Sequence, residues 1–338
     1  MTLSKPAKAA AATENPLDRL AKSLKDDLAA VNAIILDRMQ SDIPMIPQLA
    51  GHLIGAGGKR IRPLLTLASA ALFGYDGDRQ HRLAACVEFI HTATLLHDDV
   101  VDESDQRRGK ASANAIFGNE AAVLVGDFLF SRSFQLMVED GSLDVLRILS
   151  NASAVIAEGE VLQLTTANNL ETTEEQYLKV IRSKTAELFA AACETGAVVA
   201  GRSKGECMTM REYGMCLGIA FQISDDILDY DASEERLGKS LGDDFREGKM
   251  TLPVLLALQS ANDEERAFWK RCMTDLQQEE GDLDKARSLF LRHNSIGLSL
   301  DMARDFAKRG RELLADLPQN ALTRDLAELI TFAVEREY

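Results

Sequence analysis

The chain has 338 residues, and 53 acidic against 38 basic side chains give it a formal net charge of −15. This acidic balance argues against nucleic acid as a partner, because proteins that bind the phosphate backbone present a basic face. The five cysteines are odd in number and form no C-x-x-C pair. Neither a disulfide framework nor a zinc site is therefore indicated, and a cytoplasmic protein is expected.

The N-terminal residues are rich in Ala, Lys, Thr and Pro and show no apolar periodicity. They predict a disordered tail at residues 1–17, with a short transit peptide as the alternative. No Ser/Gly linker divides residues 18–338, so a single domain is expected there. No apolar run approaches the roughly 18 to 20 residues of a membrane span, so no transmembrane segment is predicted.

Helical patterns dominate this domain. Residues 64–252 contain no proline, aromatic residues make up only 6% of the chain, and Ala and Leu are abundant. Because alternating strand patterns are missing as well, the expected fold class is all-α. The apolar periodicity predicts helices at about 18–40, 46–56, 60–73, 80–103, 118–138, 143–167, 174–201, 208–230 and 250–260, with further helices to the end.

Two acidic clusters follow long apolar stretches of this helical pattern. In the segment that ends HDDVVD, Asp98 and Asp102 are spaced i,i+4 on one face of a continuous helix. His91 lies two turns earlier on the same face. The segment GIAFQISDDILDY repeats this design with four polar side chains on one face: Gln222, Asp225, Asp226 and Asp229.

Acidic runs at helix ends are most often solvated surface. Here, however, both clusters follow apolar stretches, and like charges at i,i+4 near a helix C-terminus repel each other unless a cation compensates them. Mg²⁺ is the expected cation, because this hard ion binds through a few carboxylates, waters and phosphate oxygens. The two clusters therefore predict a magnesium site that holds a phosphorylated substrate.

Basic side chains stand where a diphosphate would need them, although any single lysine is more often a solvated side chain. Arg107 and Arg108 follow the first cluster, and Lys59 and Arg62 lie in GGKRIRP. This segment is not a Walker loop, because Arg60 stands where that loop requires Ser or Thr. Further donors come later in the chain, at Lys184, Thr185, Lys239 and Lys249.

Together these segments resemble the trans-isoprenyl diphosphate synthase family, and above all its long-chain bacterial octaprenyl and decaprenyl members. The resemblance covers nearly the whole chain in order. It is carried by GGKRIRP (57–63), FIHTATLLHDDVVDESDQRRGKASAN (89–114), LVGDFLFSRSF (124–134), GEVLQL (159–164), KTAELF (184–189), GIAFQISDDILDY (218–230) and LGKSLGDDFREGKMTLPVL (237–255). It implies a single-domain helical bundle of the isoprenoid synthase type with a central substrate cavity.

The resemblance also implies a Mg²⁺-dependent prenyltransferase that condenses isopentenyl diphosphate onto an allylic diphosphate such as farnesyl diphosphate. Three Mg²⁺ ions per active site are implied, with Asp98, Asp102 and Asp225 as the metal ligands. Supporting roles among the catalytic residues go to Asp99, Asp226 and Asp229. The implied allylic-substrate contacts are Arg107, Lys184, Thr185, Gln222, Lys239 and Lys249. The implied isopentenyl diphosphate contacts are Lys59, Arg62, His91 and Arg108.

Product length and assembly are the remaining expectations. In the family a bulky aromatic residue near position 93 closes the product tunnel, whereas Ala93 followed by Thr94 leaves it open. This implies a product of about C40 to C50, used for the ubiquinone side chain, and a homodimeric enzyme. A shorter-chain synthase and a non-catalytic regulatory subunit are the alternatives. A terpene cyclase or a head-to-head condensing enzyme is disfavoured, because the second acidic motif reads DDILD.

Overall fold

The computed structural model describes residues 15–55, 58–107, 110–231 and 241–335. This part of the chain is almost entirely helical, and the predicted all-α fold class is confirmed. Most of the predicted tail, residues 1–14, lies outside the described residues. The described chain begins at Asn15, whose side chain accepts a hydrogen bond from Leu17 N and caps the first helix at Pro16.

The α-helices are, in chain order, α1 (Pro16–Ser23), α2 (Lys25–Arg38), α3 (Met45–Gly55), α4 (Ile61–Leu72), α5 (Arg79–Val101), α6 (Ala113–Phe117), α7 (Asn119–Asp140), α8 (Leu143–Thr166), α9 (Glu174–Ile181), α10 (Glu187–Val199), α11 (Lys204–Asp231), α12 (Asp243–Arg246), α13 (Leu252–Gln259), α14 (Asp263–Trp269), α15 (Asp282–His293), α16 (Ser295–Leu313) and α17 (Ala321–Glu335). A π-helical segment, Arg182–Ala186, joins α9 to α10, and a second one, Lys270–Thr274, follows α14. Two short strands, β1 (Gln106–Arg107) and β2 (Lys110–Ala111), pair antiparallel with Gln106 opposite Ala111.

Two predicted helices are interrupted in the structure. The helix expected at 18–40 divides at Leu24, where the backbone leaves the helical region without a Gly or Pro to cause it. The helix expected at 174–201 contains the π-helical segment Arg182–Ala186. The first turn of α9 is set by a capping box between Thr173 and Gln176, which the sequence pattern does show.

The bundle is organised around α5 and α10. Helix α5 packs against α7, α4, α2 and α10, while α10 lies between α4 and α11 and is buried on almost all sides. Helix α11 packs in turn on α16. The apolar faces of these helices merge into one core, in which Trp269, Tyr213 and Tyr230 are among the largest fully buried side chains. All five cysteines are buried free thiols.

Helix α7 has an unusually apolar composition. Among the described residues it is the one helix long and apolar enough to cross a membrane by length and composition. Charged side chains, among them Asp127 and Arg132, interrupt its apolar sequence. Its inner face, which includes Leu129, Leu136 and Met137, belongs to the hydrophobic core, and the helix packs along α5. It is therefore a member of the bundle in this structure.

Candidate active site

A cavity of about 260 Å³ opens where α5, α8, α9, the first π-helical segment and α11 meet the chain around residues 244–251. It brings together the two acidic clusters, although Asp102 and Asp225 are 123 residues apart in sequence. The predicted residues that line it are Asp98, Asp102, Lys184, Thr185, Gln222, Asp225, Asp226 and Lys249.

The first cluster lies at the C-terminal end of α5. The backbone N–H of Asp102 donates to the carbonyl of Asp98 over 2.8 Å, so both carboxylates lie on the same side of the last turn. Two lysines from other elements approach them. Lys184 Nζ lies 3.6 Å from Asp98 Oδ2, and Lys249 Nζ lies 3.4 Å from Asp102 Oδ2. These ammonium groups partly offset the repulsion between the two carboxylates.

Asp99 has a different environment from its two neighbours in the motif. It is fully buried, and it is not among the residues that line the cavity. Its backbone carbonyl accepts hydrogen bonds from the N–H of Ser104 at 3.0 Å and from Asn114 Nδ2 at 3.1 Å. Asp99 therefore stands behind the cluster, where its backbone fixes the turn that follows α5.

The π-helical segment presents Lys184 and Thr185 to the cavity. Single π-turns inside helices occur often at functional sites, because the extra residue redirects the side chains. Lys184 Nζ forms a 2.6 Å ion pair with Glu160 of α8. Burial raises the pKa of the Glu160 carboxyl to about 7, while the lysine opposes this shift and Asp98 adds to it. Glu160 thus brings a further titratable group to the site.

The second cluster divides its roles between adjacent residues. Asp225 and Asp226 both line the cavity, but Asp226 is buried and both its oxygens accept hydrogen bonds. Tyr177 Oη donates to one oxygen over 2.6 Å, and Gln222 Nε2 donates to the other over 2.8 Å. The hydroxyl of Thr185 donates to Gln222 Oε1 over 2.8 Å. Asp226 therefore organises a polar chain that reaches the π-helical segment.

Asp229 lies deeper and holds the next segment of the described chain. It is fully buried, its carboxylate accepts the backbone N–H of Asp244 over 3.0 Å, and its carbonyl accepts the N–H of Gly242 over 2.9 Å. These bonds bring Asp244 to the cavity wall. Asp229 therefore acts indirectly, because its hydrogen bonds hold the backbone of the segment that carries the Asp244 carboxylate.

Lys249 is surrounded by carboxylates. Its ammonium forms a 2.5 Å ion pair with Glu247 and approaches Asp102 from the opposite side of the cavity. Burial lowers the pKa of this lysine, but the carboxylates of Asp244 and Asp102 outweigh burial and raise it overall. Lys249 is therefore a permanent cation at the site.

The residues predicted for isopentenyl diphosphate form a separate group outside this cavity wall. An Arg62 Nη donates to His91 Nε2 over 3.0 Å, so this imidazole nitrogen is the unprotonated one. The Arg62 guanidinium also stacks over the Phe189 ring at 4.4 Å. Lys59 is exposed beside them, while Arg60 forms an ion pair with Glu88. Arg62 is thus held rigidly, with an aromatic ring and an imidazole fixing its plane.

Ala93 and Thr94 occupy the stretch of α5 below the first cluster. Ala93 is fully buried, and the Thr94 hydroxyl donates to the carbonyl of His91 over 2.8 Å. Neither is among the residues that line the cavity. The sequence hypothesis that they face a product tunnel remains a prediction.

Three predicted residues cannot be placed. Arg108 and Lys239 lie outside the described residues, as does the side chain of Arg107. Conversely, four polar residues at the site had no role assigned from sequence: Gln163, Tyr177 and Asp244, which line the cavity, and Glu160, which pairs with Lys184. Glu160, Gln163 and Asp244 lie in segments that carry the family resemblance, and the resemblance could have indicated them as site residues. Tyr177 stands in none of them.

The carboxylate side chains of the cavity are ligands of the kind that Mg²⁺ binds. Within residues 15–55, 58–107, 110–231 and 241–335, no group of three or more acidic, His or Cys side chains could hold a metal ion by itself. Mg²⁺ suits such an arrangement, because it binds through one or two carboxylates per ion and takes its other ligands from water and substrate phosphates. The lysines beside Asp98 and Asp102 mark the places where positive charge is stabilised.

The fold and the cavity together define an all-helical enzyme that handles anionic, phosphorylated substrates between two acidic helix ends. A polyprenyl synthetase family model matches residues 43–290, which is most of the chain. The chain belongs to this family and is a prenyltransferase.

Relatives of known activity and structure cover almost the entire chain. The octaprenyl diphosphate synthase of Escherichia coli is 45% identical over 95% of this chain and 99% of its own length. A decaprenyl diphosphate synthase from Rhodobacter capsulatus is 54% identical, has a TM-score of 0.92, and matches over 95% of this chain and 100% of its own. A polyprenyl synthase from Caulobacter crescentus, solved with calcium and isoprenyl diphosphate, is 52% identical, also with a TM-score of 0.92, over 98% of this chain and 99% of its own.

Proposed function

We propose that the chain is a long-chain all-trans polyprenyl diphosphate synthase, which adds isopentenyl diphosphate repeatedly to an allylic primer such as farnesyl diphosphate. The observation that carries this function is the cavity in which the acidic ends of α5 and α11 meet, with Lys184 and Lys249 between them. The similarity to octaprenyl and decaprenyl synthases supports a product of about C40 to C50.

Asp98, Asp102 and Asp225 would hold the Mg²⁺, as three ions per active site. When bound, the metal supplies positive charge that stabilises the diphosphate leaving group. The divalent cation and isoprenyl diphosphate bound by the Caulobacter relative support this assignment. Asp226 and Asp229 contribute by position, since their hydrogen bonds fix Gln222 and Asp244.

Four other polar residues of the cavity bind the allylic substrate. Lys184 and Lys249 neutralise the diphosphate as it leaves, and Thr185 and Gln222 orient it. Arg107 and Lys239 belong to the same proposed set, although the side chain of one and the whole of the other lie outside the described residues. No protein nucleophile is required, because breaking the allylic C–O bond creates a carbocation that the double bond of isopentenyl diphosphate attacks. Loss of a proton to the released diphosphate then restores a trans double bond in the lengthened chain.

Isopentenyl diphosphate is bound by Lys59, Arg62 and His91, together with Arg108. The stacked and hydrogen-bonded guanidinium of Arg62 is suited to a diphosphate, because a fixed planar fork binds phosphate oxygens in a defined orientation. A rigid donor also holds the attacking double bond in place. Ala93 and Thr94 set the product length in this proposal by leaving room for the growing chain.

A homodimer is proposed from the outer faces of α7 and α8. Leu124 and Val138 on α7 are 66% and 68% exposed, and Phe134 stands between them on the same face. Val161 and Leu164 on α8 are 63% and 64% exposed. Exposed apolar side chains clustered on neighbouring helices indicate an interaction surface, and a second copy of this chain covers it in the proposed dimer.

The place of the enzyme in the cell is also proposed. The five buried thiols support a cytoplasmic, reducing environment. A polyprenyl diphosphate of this length supports a role in making the ubiquinone side chain.

The proposed function is tested with the purified protein, labelled isopentenyl diphosphate, farnesyl diphosphate and Mg²⁺. After removal of the diphosphate, products should reach about C40 to C50. Products that stop at about C15 to C20 would make the chain a shorter-chain synthase. A product released without its diphosphate would indicate a cyclase, and no turnover without a partner protein would indicate a regulatory subunit.

A further inference from the structure

The ion pair between Glu160 and Lys184 involves a carboxylate that belongs to neither acidic cluster. Glu160 Oε2 lies 2.6 Å from Lys184 Nζ, and Asp98 Oδ2 lies 3.6 Å from the same nitrogen. The three side chains are between 15% and 28% exposed, so the charges are only partly screened by water. The ammonium therefore lies between two competing carboxylates, and the nearer one is on α8.

The backbone around this pair is closely packed. Gly159 precedes Glu160 on α8, and a Cβ at this position would lie 2.7 Å from Ser183 Cβ and 2.8 Å from Lys184 N. From the opposite side, a Cβ on Gly218 of α11 would lie 2.5 Å from Ala186 Cα. The π-helical segment is thus clamped between two helices. The clamp fixes the backbone of Lys184, but four rotatable carbon bonds still separate its ammonium from that backbone.

We propose that Glu160 is a positioning residue, which holds the Lys184 ammonium against α8 and away from Asp98 so that it faces the allylic diphosphate. This inference rests on the proposed function, in which Lys184 binds that diphosphate. Without the charge of Glu160, the lysine keeps the other of these two carboxylates, that of Asp98 at 3.6 Å. A direct Lys184–Asp98 ion pair would then withdraw one cation from the substrate and one carboxylate from the first cluster.

The test uses the full-length enzyme with Mg²⁺ and a non-ionising thiodiphosphate analogue of farnesyl diphosphate, titrated by calorimetry. Glu160→Gln keeps the shape of the side chain and removes its charge. We expect the Kd of the analogue to rise about three- to fivefold, the upper part of the range for an exposed ion pair. In a Lys184→Met background the same substitution should change Kd by less than about 1.5-fold, because the group that Glu160 positions is gone. Glu158→Gln, an exposed carboxylate on the same helix, is the matched control and should leave Kd unchanged.

The outcomes separate this inference from the proposed function. If Lys184→Met alone leaves Kd unchanged, the proposed diphosphate contact of Lys184 is wrong, and the positioning role of Glu160 is rejected as well. If Lys184→Met weakens binding but Glu160→Gln does not, only the positioning role is wrong. Equal effects of Glu160→Gln in the two backgrounds, or an equal effect of Glu158→Gln, would likewise overturn it, because they would indicate a general effect of charge.

Discussion

Asp225 and Asp226 are adjacent aspartates, but their surroundings differ, and they are therefore suited to different roles. Asp226 is buried between Tyr177 and Gln222, and burial raises its pKa well above the usual range for a carboxyl group. Both residues line the cavity, and Asp225 is the more exposed of the two. A residue that already accepts hydrogen bonds at both oxygens is suited to positioning, whereas a more exposed carboxylate at the wall can bind a cation together with substrate oxygens.

The first prediction concerns the proposed metal ligands. Asp98→Asn or Asp225→Asn should lower kcat by roughly two orders of magnitude, because stabilisation of the leaving diphosphate is lost. Thermal unfolding without Mg²⁺ should be little changed, since each substitution removes a charge from a repulsive cluster. Asp37→Asn, at an exposed carboxylate of α2, is the control. Turnover close to that of the native enzyme in either variant would reject the metal assignment.

The second prediction concerns Ala93, which is fully buried on α5. It precedes Asp98 by five residues, or about 7.5 Å along the helix. If it faces the tunnel, Ala93→Phe should shorten products from about C40 to C50 toward about C15 to C20, because a rigid ring blocks the path. If Ala93 only packs between helices, the ring should cost stability instead, by about 1 to 3 kcal/mol. Chromatography of the products and thermal unfolding distinguish these results, and unchanged product length in a folded, active variant would exclude the tunnel role.

At the scale of elements, the segment that carries Asp244 and Lys249 is held by neighbours far away in sequence. Gln278 Nε2 donates to the carbonyl of Phe245 over 2.7 Å and to that of Cys272 over 2.9 Å. The second π-helical segment, Lys270–Thr274, therefore supports this part of the active site. The two lysines of the cavity, Lys184 and Lys249, thus both depend on backbone geometry outside ordinary α-helix.

The third prediction tests the turn before Lys249. Gly248 has a φ of +67°, and an added Cβ would lie 2.6 Å from the carbonyl of Met273 and 2.7 Å from Asn168 Oδ1. Gly248→Ala should destabilise the fold by roughly 1 to 3 kcal/mol. It should also lower turnover, because it displaces Lys249. Gly141→Ala is the matched control, because its φ is +74° with nothing within 4 Å of the new carbon. Equal losses in the two variants would show that backbone strain, and not the collision, causes the effect.

The fourth prediction concerns the ion pair that anchors the second π-helical segment. Arg271 donates two hydrogen bonds to Asp282, at 2.8 and 2.7 Å, and this contact lowers the pKa of the Asp282 carboxyl to about 2. Because the folded pKa is depressed, the stabilisation is present above the ordinary pKa of about 4 and is lost as the pH falls toward 2. Asp282→Asn should therefore lower the denaturant midpoint at pH 7, and this difference from the native protein should shrink between about pH 4 and pH 2. A difference that is independent of pH would contradict the role of the ion pair.

At the scale of the whole molecule, an acidic chain has to bind anionic substrates. A net charge of −15 repels diphosphates at long range, so in the proposed function their binding depends on the local cations of the cavity and on Mg²⁺. The apolar exposed surface has its own arrangement, since the outer faces of α7 and α8 carry several of the large exposed hydrophobic side chains. These faces are the basis of the proposed dimer.

The fifth prediction tests that dimer. Leu124→Glu combined with Val138→Glu should convert the protein to a monomer, because four unpaired carboxylates would be buried at a two-fold interface. Analytical ultracentrifugation measures the mass directly. Leu291→Glu, at a leucine that is 83% exposed on α15, is the control and should leave the association unchanged. A native protein that sediments as a monomer would reject the homodimer itself.

The sequence by itself determined the fold class, most helices and the composition of the acidic site. Proline-free apolar periodicity permits little except packed helices, and i,i+4 spacing places Asp98 and Asp102 on one face in any such helix. Only the tertiary structure decided which of the six aspartates face the cavity, that Glu160 pairs with Lys184, and that Tyr177 donates to Asp226. Burial and hydrogen-bond partners come from residues distant in the chain. The π-helical segment is likewise set by packing against α8 and α11, because no residue between Arg182 and Ala186 is itself a helix breaker.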